Sequence, residues 1–204
     1  TMGCHTYFDI DIDHPRKELT YSLIIDRATK YILDTFMDHT SARMDVEGFR
    51  FFWCVADDDP NKLSIHCVIQ HPCFIWKYGY NKEDVRHSLK HFVKLVNQRI
   101  LEKQDTILLG TKSQNGTPIL SSYIDEAPYN TKGNASIRLC GSSKNGKRRL
   151  LPIDTTTHTK IESTAVVFEN YIISSLVEDR EYFEITSIEQ TVPKHVPVSL
   201  SEFP

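Results

Sequence analysis

The sequence predicts an α+β fold, and three patterns carry that prediction. Apolar and polar residues alternate over several short stretches, two longer stretches place apolar residues at helical spacing, and a turn signal at Asn145-Gly146 divides two strand-like runs. Strands come first, paired across helical crossovers, and a hairpin follows. A doubly wound sheet would alternate strand and helix throughout.

Thr6–Ile12 predicts the first strand, with Phe8, Ile10 and Ile12 alternating against Tyr7, Asp9 and Asp11. Beyond His14-Pro15, Tyr21, Ile24, Ile25, Ala28, Tyr31, Ile32 and Phe36 recur at helical spacing. An aromatic-rich strand over Phe49–Ala56, a polar DDDPN turn and a strand over Leu63–Ile69 come next. Asn81 and Asp84 resemble a helix start, and Val85, Leu89, Phe92, Val93, Val96 and Ile100 form one stripe. Ile107–Leu109 reads as a short strand, 110–118 as a Gly/Ser/Asn/Pro loop, and Leu120–Ile124 as a strand. Ser136–Gly141 and Arg149–Leu151 predict a hairpin turning through SSKNGK. A last helix is expected over Glu162–Leu176, followed by a short strand and a tail.

The chain has 204 residues, 40% hydrophobic and 25% charged, the profile of a soluble globular domain with a proper core. No apolar run approaches membrane-spanning length and no signal peptide opens the chain, so the expectation is a soluble, intracellular protein without membrane contact. Five scattered cysteines fit a reduced compartment better than a disulfide framework. Cys54, Cys67, His71 and Cys73 lack the paired spacings of a structural zinc site, so buried thiols are expected and zinc is not. The Thr-Met start and the Pro-containing end suggest one domain over 1–204, excised from a longer chain. Net charge is −3 and the isoelectric point about 6.3, which does not favour tight autonomous DNA binding. The charges are nonetheless segregated: no acid lies between Ala127 and Ile153, where Lys132, Arg138, Lys144, Lys147, Arg148 and Arg149 gather.

Three groups of residues suggest chemistry. Asp9 and Asp11 project from one strand face about 7 Å apart along the chain, so both can reach one pair of cations. Two-metal catalysis places ions roughly 3.5–4 Å apart, bound by carboxylate oxygens, and Asp125 at another strand end is available as a third ligand. Lys62, Ser64 and His66 share a second strand face and can donate to phosphate oxygens. His66, near pKa 6.5 by type, is also a candidate general acid toward leaving pyrophosphate. In RLCGSSK, Arg138 precedes a small-residue turn whose backbone can approach phosphate, with Lys144 after it. Lys147, Arg148 and Arg149 lie beyond and can hold nucleic-acid backbone. Taken alone, Asp9 and Asp11 are better read as a solvated strand face, and the Lys62, Ser64 and His66 set as a chance pattern with a core histidine. The Arg138–Lys144 stretch is more specific, and Lys147 and Arg148 read equally well as a basic hairpin tip. Walker A and Rossmann glycine motifs are absent.

In that order, the three groups resemble the motifs of the archaeo-eukaryotic primase superfamily, most closely its primase-polymerases and the primase domain of large-DNA-virus primase-helicases. The resemblance spans Thr6 to about Ile153. It rests on Phe8-Asp9-Ile10-Asp11, on Ser64-Ile65-His66 followed by an apolar strand with Lys62 before it, and on Asp125, Tyr129, Arg138-Leu139, Ser142-Ser143-Lys144 and Lys147-Arg148. It implies an RNA-recognition-like catalytic sheet with a second small α/β unit, and template-directed nucleotidyl transfer with Mg²⁺ or Mn²⁺. Asp9, Asp11 and Asp125 would be the metal ligands. Lys62, Ser64, His66, Arg138, Ser143 and Lys144 would contact the incoming nucleoside triphosphate, and Tyr129 would lie near sugar or template. A single-stranded DNA template is implied as partner, with a helicase domain in the same full-length chain and, for the viral branch, the host cytoplasm or nucleus as location. The segment between Asp125 and Arg138 is longer than in cellular primase-polymerases, so Asn130, Lys132 and Asn134 take no assignment. Two alternatives stay open: a repair polymerase that extends primers without starting them, and a non-catalytic nucleic-acid-binding replication module.

Overall fold

A computed structural model describes residues 2–40, 46–77, 85–114, 117–129, 138–144, 146–161, 168–176 and 180–186. The elements, in chain order, are β1 (Met2–Cys4), β2 (Thr6–Asp13), α1 (Tyr21–His39), β3 (Arg50–Asp59), β4 (Lys62–Gln70), β5 (Phe74–Lys77), α2 (Leu89–Glu102), β6 (Leu109–Gln114), β7 (Thr117–Ser122), β8 (Leu151–Pro152), β9 (Ser174–Leu176) and β10 (Glu181–Tyr182). Among the described residues the fold is mixed α+β, the class the sequence predicts, mostly sheet with two α-helices.

The central sheet has the order β2-β4-β3-β8, and its β2, β4 and β3 are antiparallel neighbours. Directly paired residues share a sheet face. Phe8, Ile10 and Ile12 pair with Cys67, Ile65 and Leu63, and Trp53 and Val55 continue the same row on β3. All are buried in the main core. The opposite face carries Asp9, Asp11 and Asp13 against His66, Ser64 and Lys62. The period-two alternation of β2 therefore divides the sheet into a core side and a polar side.

The helices supply buried stripes to that same core: Ile24, Ile25, Ala28, Ile32 and Phe36 from α1, and Phe92, Val93, Val96 and Ile100 from α2. Thr20 caps α1 by accepting the Leu23 N–H, and Thr40 closes the other end by donating its N–H to the Phe36 carbonyl. Phe36 is fully buried, with ring centroids 4.2 Å from Phe92 and 4.4 Å from Phe49, so its truncation to Ala should cost about 3–5 kcal/mol.

Several elements differ from expectation. The second sheet, in the order β10-β5-β1-β9, consists of strands of two to four residues, too short to show periodicity. Of the predicted loop over 110–118, residues 110–114 and 117–118 lie in the β6–β7 hairpin, whose ladder from Leu109↔Ser122 to Gln114↔Thr117 forms despite loop-like composition; 115–116 are outside the described residues. Gly110 suits this hairpin because a Cβ there would meet the Tyr123 ring at 2.5 Å. The end of the predicted last helix is a 3₁₀ turn over Phe168–Tyr171 followed by β9; its first part falls outside the described residues. The predicted start at Asn81 and Asp84 also lies outside them, and α2 begins at Leu89 after a 3₁₀ turn over Val85–His87.

The predicted late hairpin exists as sparse pairing. Gly141 and Ser142 exchange hydrogen bonds with Leu150, and Lys144 pairs with Lys147. Gly146 takes a positive φ of 73° at the turn, as an Asn-Gly signal requires; Asn145 itself is outside the described residues.

Candidate active site

The antiparallel register of β2 and β4 brings the first two predicted groups together. Asp9 lies opposite His66, Asp11 opposite Ser64, and Asp13 opposite Lys62. On the other flank of β2, Ile124 bridges Ile10, and the Asp125 N–H donates to the Asp9 carbonyl at 2.8 Å. Asp125 thus sits alongside Asp9 as an outer continuation of the sheet, its Oδ1 accepting the Ala127 N–H at 3.0 Å.

Each side chain has a defined environment. Lys62 Nζ lies 3.1 Å from Asp11 and 2.8 Å from Asp13. Ser64 donates to Asp11 Oδ1 at 2.6 Å. Burial acts to raise the Asp11 pKa, but the hydrogen bonds from Ser64 and Lys62 hold it below the usual carboxylate value. Asp9 behaves oppositely: burial first, then the Asp11 and Asp125 charges, push it up to about 7. His66 Nδ1 is 3.1 Å from the Arg138 carbonyl, and its Nε2 is 3.2 Å from Asp9 Oδ1. Burial lowers the His66 pKa to about 4, the Arg138 carbonyl bond resisting and the Arg138 charge reinforcing the shift. The Asp9–His66 approach is short but not aligned as a hydrogen bond, so Asp9 Oδ1 is a buried acceptor without a donor.

The basic segment divides. The Arg138 carbonyl fixes His66, while the Arg138 guanidinium donates to the Arg148 carbonyl at 2.9 Å. Arg148, expected on nucleic-acid backbone at the hairpin tip, instead folds back over β4. Its Nη2 donates to Ser64 Oγ, and its N–H donates to Asp58 at 3.0 Å. Ser143, Lys144 and Lys147 are exposed, as is Arg149, whose Nε donates to the Gly141 carbonyl. None of these four has a hydrogen bond or ion pair to the carboxylates among the described contacts. Tyr129 departs furthest from expectation. It is 5% exposed, stacked on Tyr7 at 4.8 Å between ring centroids, and its hydroxyl donates to the Tyr7 carbonyl. It packs the 3₁₀ turn Ala127–Tyr129 onto β2 and presents no face to a template.

Sequence reading missed Asn97, which interrupts the apolar stripe of α2. Its Nδ2 donates to the Ile124 carbonyl at 3.3 Å and to Glu126 at 3.1 Å, gripping both neighbours of Asp125. A buried Asn among Val93, Val96 and Ile100 was the available signal. Asp58 was also missed; in the DDDPN turn, Asp57 pairs with Lys160, Asp58 holds Arg148, and Asp59 accepts the Asn61 N–H.

The donor set fits a divalent cation in its chemistry. Asp9 and Asp11 share one face of β2 with the Asp125 backbone alongside, and Asp9 Oδ1 is buried without a donor. Hard cations take oxygen ligands of this kind. Among the described residues, no three His, Cys, Asp or Glu side chains enclose an ion-sized space as they stand. Cys54 and Cys67 lie on opposite faces of the sheet, paired with His66 and Trp53 respectively, and do not converge. No helix among the described residues is long and apolar enough to cross a membrane. Neither a protein-family model nor a curated protein matches this chain.

Proposed function

We propose that this chain is the catalytic domain of a DNA primase or primase-polymerase of the archaeo-eukaryotic primase type, joining nucleotides on a single-stranded DNA template. One observation carries the reading: the β2–β4 register sets Asp9 and Asp11, with Asp125 alongside, directly against Lys62, Ser64 and His66 on one sheet face. Carboxylates in line with phosphate-binding donors are what nucleotidyl transfer requires, and a simple binding module has no use for them.

Mg²⁺ or Mn²⁺ held by Asp9, Asp11 and Asp125 would supply charge neutralisation at the phosphates and activation of the attacking 3′-hydroxyl. The chain's own residues bind and orient. Lys62 and Ser64, now satisfied by Asp11, are the donors nearest the carboxylates and turn to the triphosphate. Arg138 ties the hairpin to His66 through its carbonyl, so the basic segment and the sheet form one wall. His66 is buried and neutral near pH 7; phosphate anions beside it favour the protonated form that donates to leaving pyrophosphate.

Synthesis on unprimed single-stranded DNA, with labelled nucleotides and Mg²⁺ or Mn²⁺, tests this beside an Asp9→Ala/Asp11→Ala control. Short products that disappear in the control support a primase. Extension only from an annealed primer identifies a repair-type polymerase. Undiminished synthesis by the control rejects the carboxylate assignment, and no synthesis in either condition favours a binding module.

A further inference from the structure

We infer that Arg148 is a phosphate-binding residue of the nucleotide site, delivered to it by the backbone of the basic hairpin, and is not a contact to template backbone. The inference rests on the reading of the site given above.

Arg148 has a φ of 54°, left-handed backbone that disfavours a side chain with a Cβ. Two anchors hold it there: its N–H on Asp58 and its carbonyl under the Arg138 guanidinium. The strained position reverses the side chain inward from a hairpin whose neighbours Lys147 and Arg149 are exposed. The guanidinium reaches Ser64 Oγ, which itself donates to Asp11, so cation, hydroxyl and carboxylate form one chain of contacts. Its Nε is buried and without a hydrogen-bond partner, and among the described residues no carboxylate pairs with the guanidinium. An arginine stays charged at any working pH and carries five donors in a planar fork. A half-buried guanidinium with unused donors, one hydroxyl away from a metal-type carboxylate, suits a polyphosphate oxygen.

Position 148 offers a clean variant. Glycine accepts the positive φ, and both anchors are main-chain bonds that Arg148→Gly keeps. Two readouts are compared with Lys147→Ala: the melting-temperature shift given by inorganic tripolyphosphate with Mg²⁺, and nucleotide KM against the single-stranded DNA Kd over a salt series. In Arg148→Gly, we expect most of the tripolyphosphate shift to vanish and nucleotide KM to rise about tenfold or more, with DNA Kd unchanged. Arg148→Lys should recover the shift only in part, having charge without the fork, and it serves if the glycine variant does not fold. An unchanged tripolyphosphate shift in either variant overturns the inference. So does a loss confined to DNA affinity with a salt slope lower by about one, which marks a backbone phosphate contact. A wild-type protein that neither responds to tripolyphosphate nor makes product overturns the reading of the site and this inference with it.

Discussion

Asp9 Oδ1 lies 3.2 Å from His66 Nε2, at positions that pair directly between β2 and β4. The Arg138 carbonyl can only accept, so His66 Nδ1 carries the hydrogen. Neutral His66 then brings its unprotonated Nε2 close to Asp9, off hydrogen-bond alignment, and neither atom supplies a hydrogen to the other. Burial is the first cause of both shifts, pushing Asp9 up to about 7 and His66 down to about 4, so the neutral forms of both groups are favoured between those values.

This pairing predicts an unusual pH dependence of stability in EDTA. Asp9, with its folded pKa raised, contributes stability at low pH that is lost as pH rises toward 7. His66, with its folded pKa lowered, contributes stability above its unfolded value that is lost as pH falls toward 4. Between those limits the slopes oppose, so the contribution of this pair should be nearly flat. Asp9→Asn removes one slope. Relative to wild type, its unfolding free energy should rise between pH 4 and pH 7 by up to about 4 kcal/mol. Urea melts at several pH values measure this, and parallel curves for the two proteins would reject the raised Asp9 pKa.

A cation should relieve the same strain. At pH 8, where Asp9 is ionised beside Asp11 and Asp125, Mn²⁺ or Mg²⁺ should raise the wild-type melting temperature. Saturation a hundredfold above Kd corresponds to about 2.7 kcal/mol. Asp9→Asn and Asp125→Asn should each lose most of that gain. Equal shifts in wild type and both variants would place the ion elsewhere.

The site was legible where its residues followed strand periodicity. Asp9 and Asp11, and Lys62, Ser64 and His66, announce a shared face two residues at a time, and that face is the one β2 and β4 turn from the core. Their mutual register was not legible, because pairing is set by the whole apolar row from Phe8 to Ile12 meeting Leu63 to Cys67. The placements of Arg148 and Tyr129 were not legible for a similar reason. A positive φ reverses Arg148, and a stacking partner 122 residues away in sequence buries Tyr129, neither of which leaves a local pattern. The small second sheet escaped because its strands are shorter than any period that could identify them.

Asn97 is predicted to act as a positioning residue for Asp125. Asn97→Ala removes donors to the Ile124 carbonyl and to Glu126, at a cost of about 1–3 kcal/mol in a buried setting. A purely structural role would lower the melting temperature and leave the cation-induced shift intact. Positioning requires the cation shift to fall as well, measured at a temperature where the variant is fully folded.

Tyr129 separates a packing role from a template-contact role. Its ring stacks on Tyr7 and its hydroxyl reaches the Tyr7 carbonyl from a fully enclosed position, where burial also drives the phenol pKa well above its ordinary value. Tyr129→Phe keeps the stack and deletes one hydrogen bond, a loss of about 1 kcal/mol. In a chain of this length that is about 2–4 °C of melting temperature. Affinity for single-stranded DNA should not change, since the hydroxyl faces protein on every side. A variant with unaltered stability and weakened DNA binding would return Tyr129 to the template surface that its place in the sequence suggests.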